Sequence, residues 1–138
     1  RFGLDMACYW TYPPPDSPAA HAYAMFRNVN GGNASFGNIL LDVSWRDVEN
    51  YPFEVSLFAA RSTRTDMLTL VLLNKTAKRK QFNLRFMDHK VKSGTGYVYS
   101  SGQEAIRSME SSVQLHENKT SLRVAPWSIY HLRFPIAD

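Results

Sequence analysis

The chain has 138 residues, a length at which one compact domain can bury a sizeable core without cross-links and a second full domain does not fit. Hydrophobic residues make up 44% and charged residues 20%, a globular composition, and no apolar stretch is long enough to cross a bilayer as a helix, so a membrane is not an expected partner. The net charge of +4 is scattered apart from Lys75-Thr76-Ala77-Lys78-Arg79-Lys80, which lies between two apolar runs and reads as a solvated loop, not as a surface that tracks nucleic acid.

Residues 1–12 form a short apolar segment that ends at Pro13-Pro14-Pro15, which neither a helix nor a central strand can pass. The segment holds Cys8, the only cysteine, so no internal disulfide and no cysteine-based metal site can form. It opens on Arg1, without an initiator Met or the apolar core of a signal peptide, and reads as an excised piece of something longer. Ser17 before Pro18 is an N-cap followed by a first-turn proline, and Ala19, Ala22, Tyr23 and Phe26 share one helical face. A helix is predicted from Pro18 to about Asn28. It stops in the turn-rich run Asn28-Val29-Asn30-Gly31-Gly32-Asn33.

From Ile39 the period becomes strand-like, and no further amphipathic helix is expected. Strands are predicted near 39–46, 53–61, 67–74, 80–87, 96–101, 112–116, 121–124 and 128–134. Met67-Leu68-Thr69-Leu70-Val71-Leu72-Leu73 is apolar on both faces, as a central strand covered on two sides would be, whereas Phe82, Leu84 and Phe86 alternate with polar neighbours. Arg64-Thr65-Asp66 and Lys78-Arg79 have hairpin length, and Glu117-Asn118-Lys119 makes a tight turn with Asn118 suited to a left-handed position. The polar stretch 103–110 reads as a loop crossing between sheets. The predicted fold is all-β, an antiparallel two-sheet sandwich with one short N-terminal helix.

Little in the sequence supports catalysis. Sugar hydrolysis needs two facing carboxylates, and Asp5, Asp16, Asp42, Asp47 and Glu49 offer no evident pair. His21, His89, His116 and His131 lack metal-ligand spacing, and Cys8 has no neighbouring base. No cofactor is expected, and a calcium ion held by backbone carbonyls would leave no trace in sequence. The triplets at Asn33, Asn74 and Asn118 match the N-glycosylation pattern, which is common by chance. Aromatic rings remain as candidates. Exposed Trp and Tyr bind the C–H faces of sugars, and Trp10, Tyr12, Trp45 and Tyr51 lie beside breaks or charged segments. Trp127, after Pro126, is expected to seal the end of the sandwich instead.

Several segments resemble a known family. Arg1-Phe2-Gly3-Leu4-Asp5-Met6-Ala7 with Trp10-Thr11, then Ala22-Tyr23-Ala24-Met25-Phe26-Arg27-Asn28, Gly31 and Phe36-Gly37-Asn38, are similar to the C-terminal part of glycoside hydrolase family 44, endoglucanases and xyloglucanases. So are Leu57-Phe58-Ala59-Ala60-Arg61 and Leu70-Val71-Leu72-Leu73-Asn74-Lys75-Thr76. The resemblance implies that residues 1–38 correspond to the last strand and helix of a (β/α)₈ barrel and residues 39–138 to a β-sandwich beside it. It implies that both catalytic glutamates lie on earlier strands, outside this chain, and that Trp10 sits at the barrel end that holds substrate. The expected role is therefore a non-catalytic ancillary domain of a secreted enzyme, binding a β-glucan such as cellulose or xyloglucan or supporting the barrel. A small stand-alone glycosidase and a purely structural module are the alternatives. A barrel helix without its barrel must fold back on the sandwich, pair with a second copy as a homodimer, or stay disordered.

Overall fold

The computed structural model of the chain describes residues 13–32, 34–46 and 53–137. Helix α1, Pro18–Arg27, starts where the capping chemistry predicts: Ser17 is extended and its hydroxyl accepts from the Ala20 amide at 3.2 Å. It ends at Asn28, whose amide bonds the Ala24 carbonyl. Eight strands follow: β1 (Ile39–Leu41), β2 (Val55–Ser62), β3 (Met67–Asn74), β4 (Lys80–Arg85), β5 (Thr95–Ser100), β6 (Arg107–Ser108), β7 (Lys119–Val124) and β8 (Ser128–Pro135). The described part is all-β with one short helix, as expected.

Two antiparallel sheets make the sandwich. The larger has the order β1-β2-β3-β8-β5-β6, and the smaller is the ribbon β4-β7. Strand β3 lies at the centre of the large sheet, paired along its whole length with β2 and β8. Both of its faces are covered because both are apolar. One face carries Leu68, Leu70 and Leu72, which join Leu132, Phe134 and Tyr130 of β8 and meet Phe82, Leu84, Leu122 and Val124 of the ribbon to form the main core. The other carries Val71, which with Ile129 and Tyr99 packs on Met25, Val29 and Ala34 of the α1 region. The helix thus folds back on the sheet through His21 and Met25, whereas Ala22 and Tyr23 of the expected apolar face are exposed. Each large side chain fully withdrawn from water stabilises the fold by about 1.5–3 kcal/mol before ordering costs, so Met25, at 0% exposure, is a principal anchor of α1.

The turns largely follow their sequence chemistry. Residues 63–66 join β2 to β3, and Glu117 and Asn118 both take positive φ (48° and 59°) in the tight turn between His116 and Lys119. The side chain of Asn118 also accepts from the Val91 amide at Oδ1 and donates from Nδ2 to the His89 carbonyl. Gly94 lies where the chain runs against β8: a Cβ there would stand 2.3 Å from the Arg133 carbonyl oxygen and 2.6 Å from the Phe134 ring.

Four expectations are corrected. Lys78-Arg79 is not a hairpin turn: residues 75–79 carry the chain from the large sheet to the small one, because β4 pairs with β7 and not with β3. The stretch 103–110 does not leave its sheet; it contains β6, paired with Tyr97 and Val98 of β5. Residues 112–116 form no strand, only isolated bridges through Val113 and His116. Trp127 does not seal the sandwich, since it is 54% exposed.

Candidate functional site

Of the four aromatic residues singled out from sequence, Trp10, Tyr12 and Tyr51 lie outside the described residues. Trp45 is half-buried, with its ring centroid 6.3 Å from Phe82 in an edge-to-face arrangement against the main core. Part of its surface is therefore already engaged.

The most exposed tryptophan in the described structure is Trp127, and local chemistry fixes its position. Asn74, at the end of β3, is 1% exposed, and its amide nitrogen donates to the carbonyls of Lys78 and Ala125, both at 2.8 Å. Its carbonyl oxygen accepts from the Thr76 amide and hydroxyl. Ser128 Oγ donates to the Ala125 carbonyl as well. The turn so anchored places Trp127 with its amide on the Thr76 carbonyl and its own carbonyl on the Ser101 amide. Pinned on both sides, Trp127 holds φ at 44°, a left-handed conformation that costs an ordinary residue on the order of 1 kcal/mol.

Beside the ring is an open cleft of about 350 Å³, with Trp127 and Ser101 on one side, Pro18 and Ala22 of α1 on the other, and Tyr99 and Leu73 among its lining residues. Tyr99 is held from behind by His21, whose ring centroid is 4.4 Å away and whose Nε2 pairs with the Glu104 carbonyl at 3.2 Å. Lys75 contributes to the rim while its ammonium donates to Ser56 Oγ at 3.1 Å. Among the described residues no carboxylate lines this cleft. A second depression, of about 300 Å³, is bounded by Gly37, Asn38, Thr63 and Arg64 and has no aromatic ring; Asn38 and Thr63 spend their polar atoms on each other.

Three of the described carboxylates stand in ion pairs. Glu54 pairs with Lys80 at 2.6 Å, Asp66 with Arg61 at 3.1 Å and Glu117 with Lys119 at 3.9 Å. Among the described residues no three His, Cys, Asp or Glu side chains come together as a metal site. His131 is internal, at 0% exposure. Burial holds its pKa below the ordinary 6.5, against the opposing effect of its bond to the Met25 carbonyl, while the Arg133 charge adds to the lowering. With a carbonyl as partner, Nδ1 carries the proton and joins β8 to α1. It is a structural contact.

Trp127 was missed because a tryptophan after proline at the start of an apolar strand looks like a core residue; the turn geometry that turns it outward depends on Asn74, 53 positions away.

The chain matches a C-terminal part of family 44 endoglucanases and xyloglucanases. No family model matches it. It is 24% identical over 135 residues to Endoglucanase A of Paenibacillus lautus, a match that takes in 96% of this chain and 19% of that protein. Among solved structures, a bifunctional glucanase-xylanase from a metagenome library is 25% identical with a TM-score of 0.88, over 98% of this chain and 25% of that one. A Paenibacillus polymyxa xyloglucanase of family 44 shares the fold at a TM-score of 0.74 and 21% identity, over 86% of this chain and 23% of its own. The chain thus spans a quarter or less of the length of these relatives.

Proposed function

We propose that this chain is the non-catalytic ancillary domain of a secreted glycoside hydrolase acting on β-glucans such as cellulose or xyloglucan. Residues 1–38 supply the last strand and helix of a (β/α)₈ barrel, and residues 39–138 the sandwich that supports it. The observation that carries this reading is the seat of α1: the central sheet offers Val71, Ile129 and His131 to the helix on the face turned away from the β4-β7 ribbon. That apolar outer face has to be covered, and a helix in this seat is what an outer helix of an adjoining barrel would provide.

Support also comes from the likeness along nearly the whole chain to a fraction of a glucanase-xylanase, and from the engagement of three described carboxylates in ion pairs. Hydrolysis belongs to the barrel's own residues. The test is reducing-sugar release by the purified chain on xyloglucan and carboxymethylcellulose. Release at the level of buffer is expected, and release that scales with protein concentration would contradict the reading.

A further inference from the structure

We infer that the cleft beside Trp127 is a binding site for a neutral polysaccharide chain, with the Trp127 indole as its stacking platform. The inference rests on the reading of this chain as a glycoside hydrolase domain, and it places sugar contact at a residue apart from Trp10, Tyr12, Trp45 and Tyr51. The first ground is the ring itself. A 54% exposed tryptophan stands on backbone in the left-handed region, where Gly or Asn would sit with less strain, and both neighbouring peptide groups are locked by hydrogen bonds. Among the described residues it loses conformational energy and hides little apolar surface, so neither packing there nor turn geometry accounts for it.

The second ground is the chemistry of the cleft. A pyranose ring offers apolar C–H faces edged with hydroxyls, and this cleft sets the exposed indole beside the exposed Ser101 and the backbone around Gly102, with the buried Tyr99 contributing to its lining. Among the described lining residues there is no carboxylate to hold a cation, and the only charged group is the Lys75 ammonium, which donates to the Ser56 hydroxyl. One lysine is not the array of cations that the repeated carboxylates of a polyanionic glycan require. A neutral chain suits these groups.

The third ground is direction. The cleft touches Pro18 and Ala22, the amino-terminal half of α1. In a (β/α)₈ barrel the helices begin at the face where strands end and where the active site lies, so a cleft at this end of α1 opens toward the catalytic side. A polymer held there extends the run of sugar contacts beyond the barrel.

Affinity electrophoresis of the full chain through gels containing xyloglucan, hydroxyethylcellulose or polygalacturonate tests this, with thermal unfolding run in parallel. The wild-type chain is expected to be retarded by a neutral polymer and not by polygalacturonate. Trp127→Gly and Trp127→Asn are expected to lose that retardation at least fivefold while unfolding at the same or a higher temperature, because both residues accept the backbone that strains tryptophan. Retardation of both variants equal to wild type would overturn the cleft and leave the ancillary reading standing. No retardation of the wild type by either neutral polymer, or retardation by polygalacturonate alone, would overturn it also. Hydrolysis by the wild type, in contrast, would overturn the ancillary reading and leave the cleft intact.

Discussion

The side-chain amide of Asn74 is buried at 1% exposure and bonded on both its nitrogen and its oxygen, to Lys78, Ala125 and Thr76. A buried donor left without its acceptor costs about 1–3 kcal/mol, so Asn74→Ala should lower stability by roughly 3 kcal/mol in urea titration and disturb the Trp127 turn. The Asn-Lys-Thr pattern here is accordingly no glycan acceptor in the folded chain: both amide hydrogens are spoken for. At His131 the folded pKa is lowered, chiefly by burial. As pH falls through about 6.5 the unfolded chain takes up a proton that the folded chain still refuses, so the unfolded state binds more protons and stability drops. Full stability is therefore expected above that pH, with progressive loss below it. His131→Asn keeps a donor toward the Met25 carbonyl but cannot titrate, and should flatten the pH dependence of the urea midpoint in this window. An unchanged slope would show that other groups set it.

Helix α1 was legible from its cap, serine then proline, and the structure places its start at Pro18, but its buried residues are His21 and Met25 and not the Ala22 and Tyr23 of the expected face. Ser17→Ala should cost about 1 kcal/mol and Met25→Ala about 2–5 kcal/mol, both read as shifts in the chemical unfolding midpoint. Strand β3 was legible for a different reason, since seven apolar or β-branched residues in a row have no polar face to give to water. The partners of β4 were not legible. Its alternating pattern identifies a strand with one wet face but says nothing of which strand it joins, and β7 lies more than thirty residues on. Nor did the polar residues around Arg107 disclose β6, because an edge strand of two residues buries neither side chain. Gly94 carries a steric rule that no period encodes: Gly94→Ala should destabilise strongly, since the Arg133 carbonyl belongs to backbone and cannot yield.

The described residues form three layers, ribbon on sheet on helix, and the two cores share strands β3 and β8. Sequence reading reached the two sheets, because alternation and turn chemistry act locally. It did not reach the exposed ring at Trp127, because exposure there is decided by Asn74 and Thr76 at the end of β3 meeting Ser101 at the end of β5. The proposed role depends on α1 being integral to the sandwich, as a seat for a barrel would require, and that is testable directly. Native-state hydrogen exchange should find the Asn28 amide, bonded to Ala24, opening only with the global unfolding that also exposes Val71 in β3. Free exchange at Asn28 and along α1 while Val71 remains protected would contradict it.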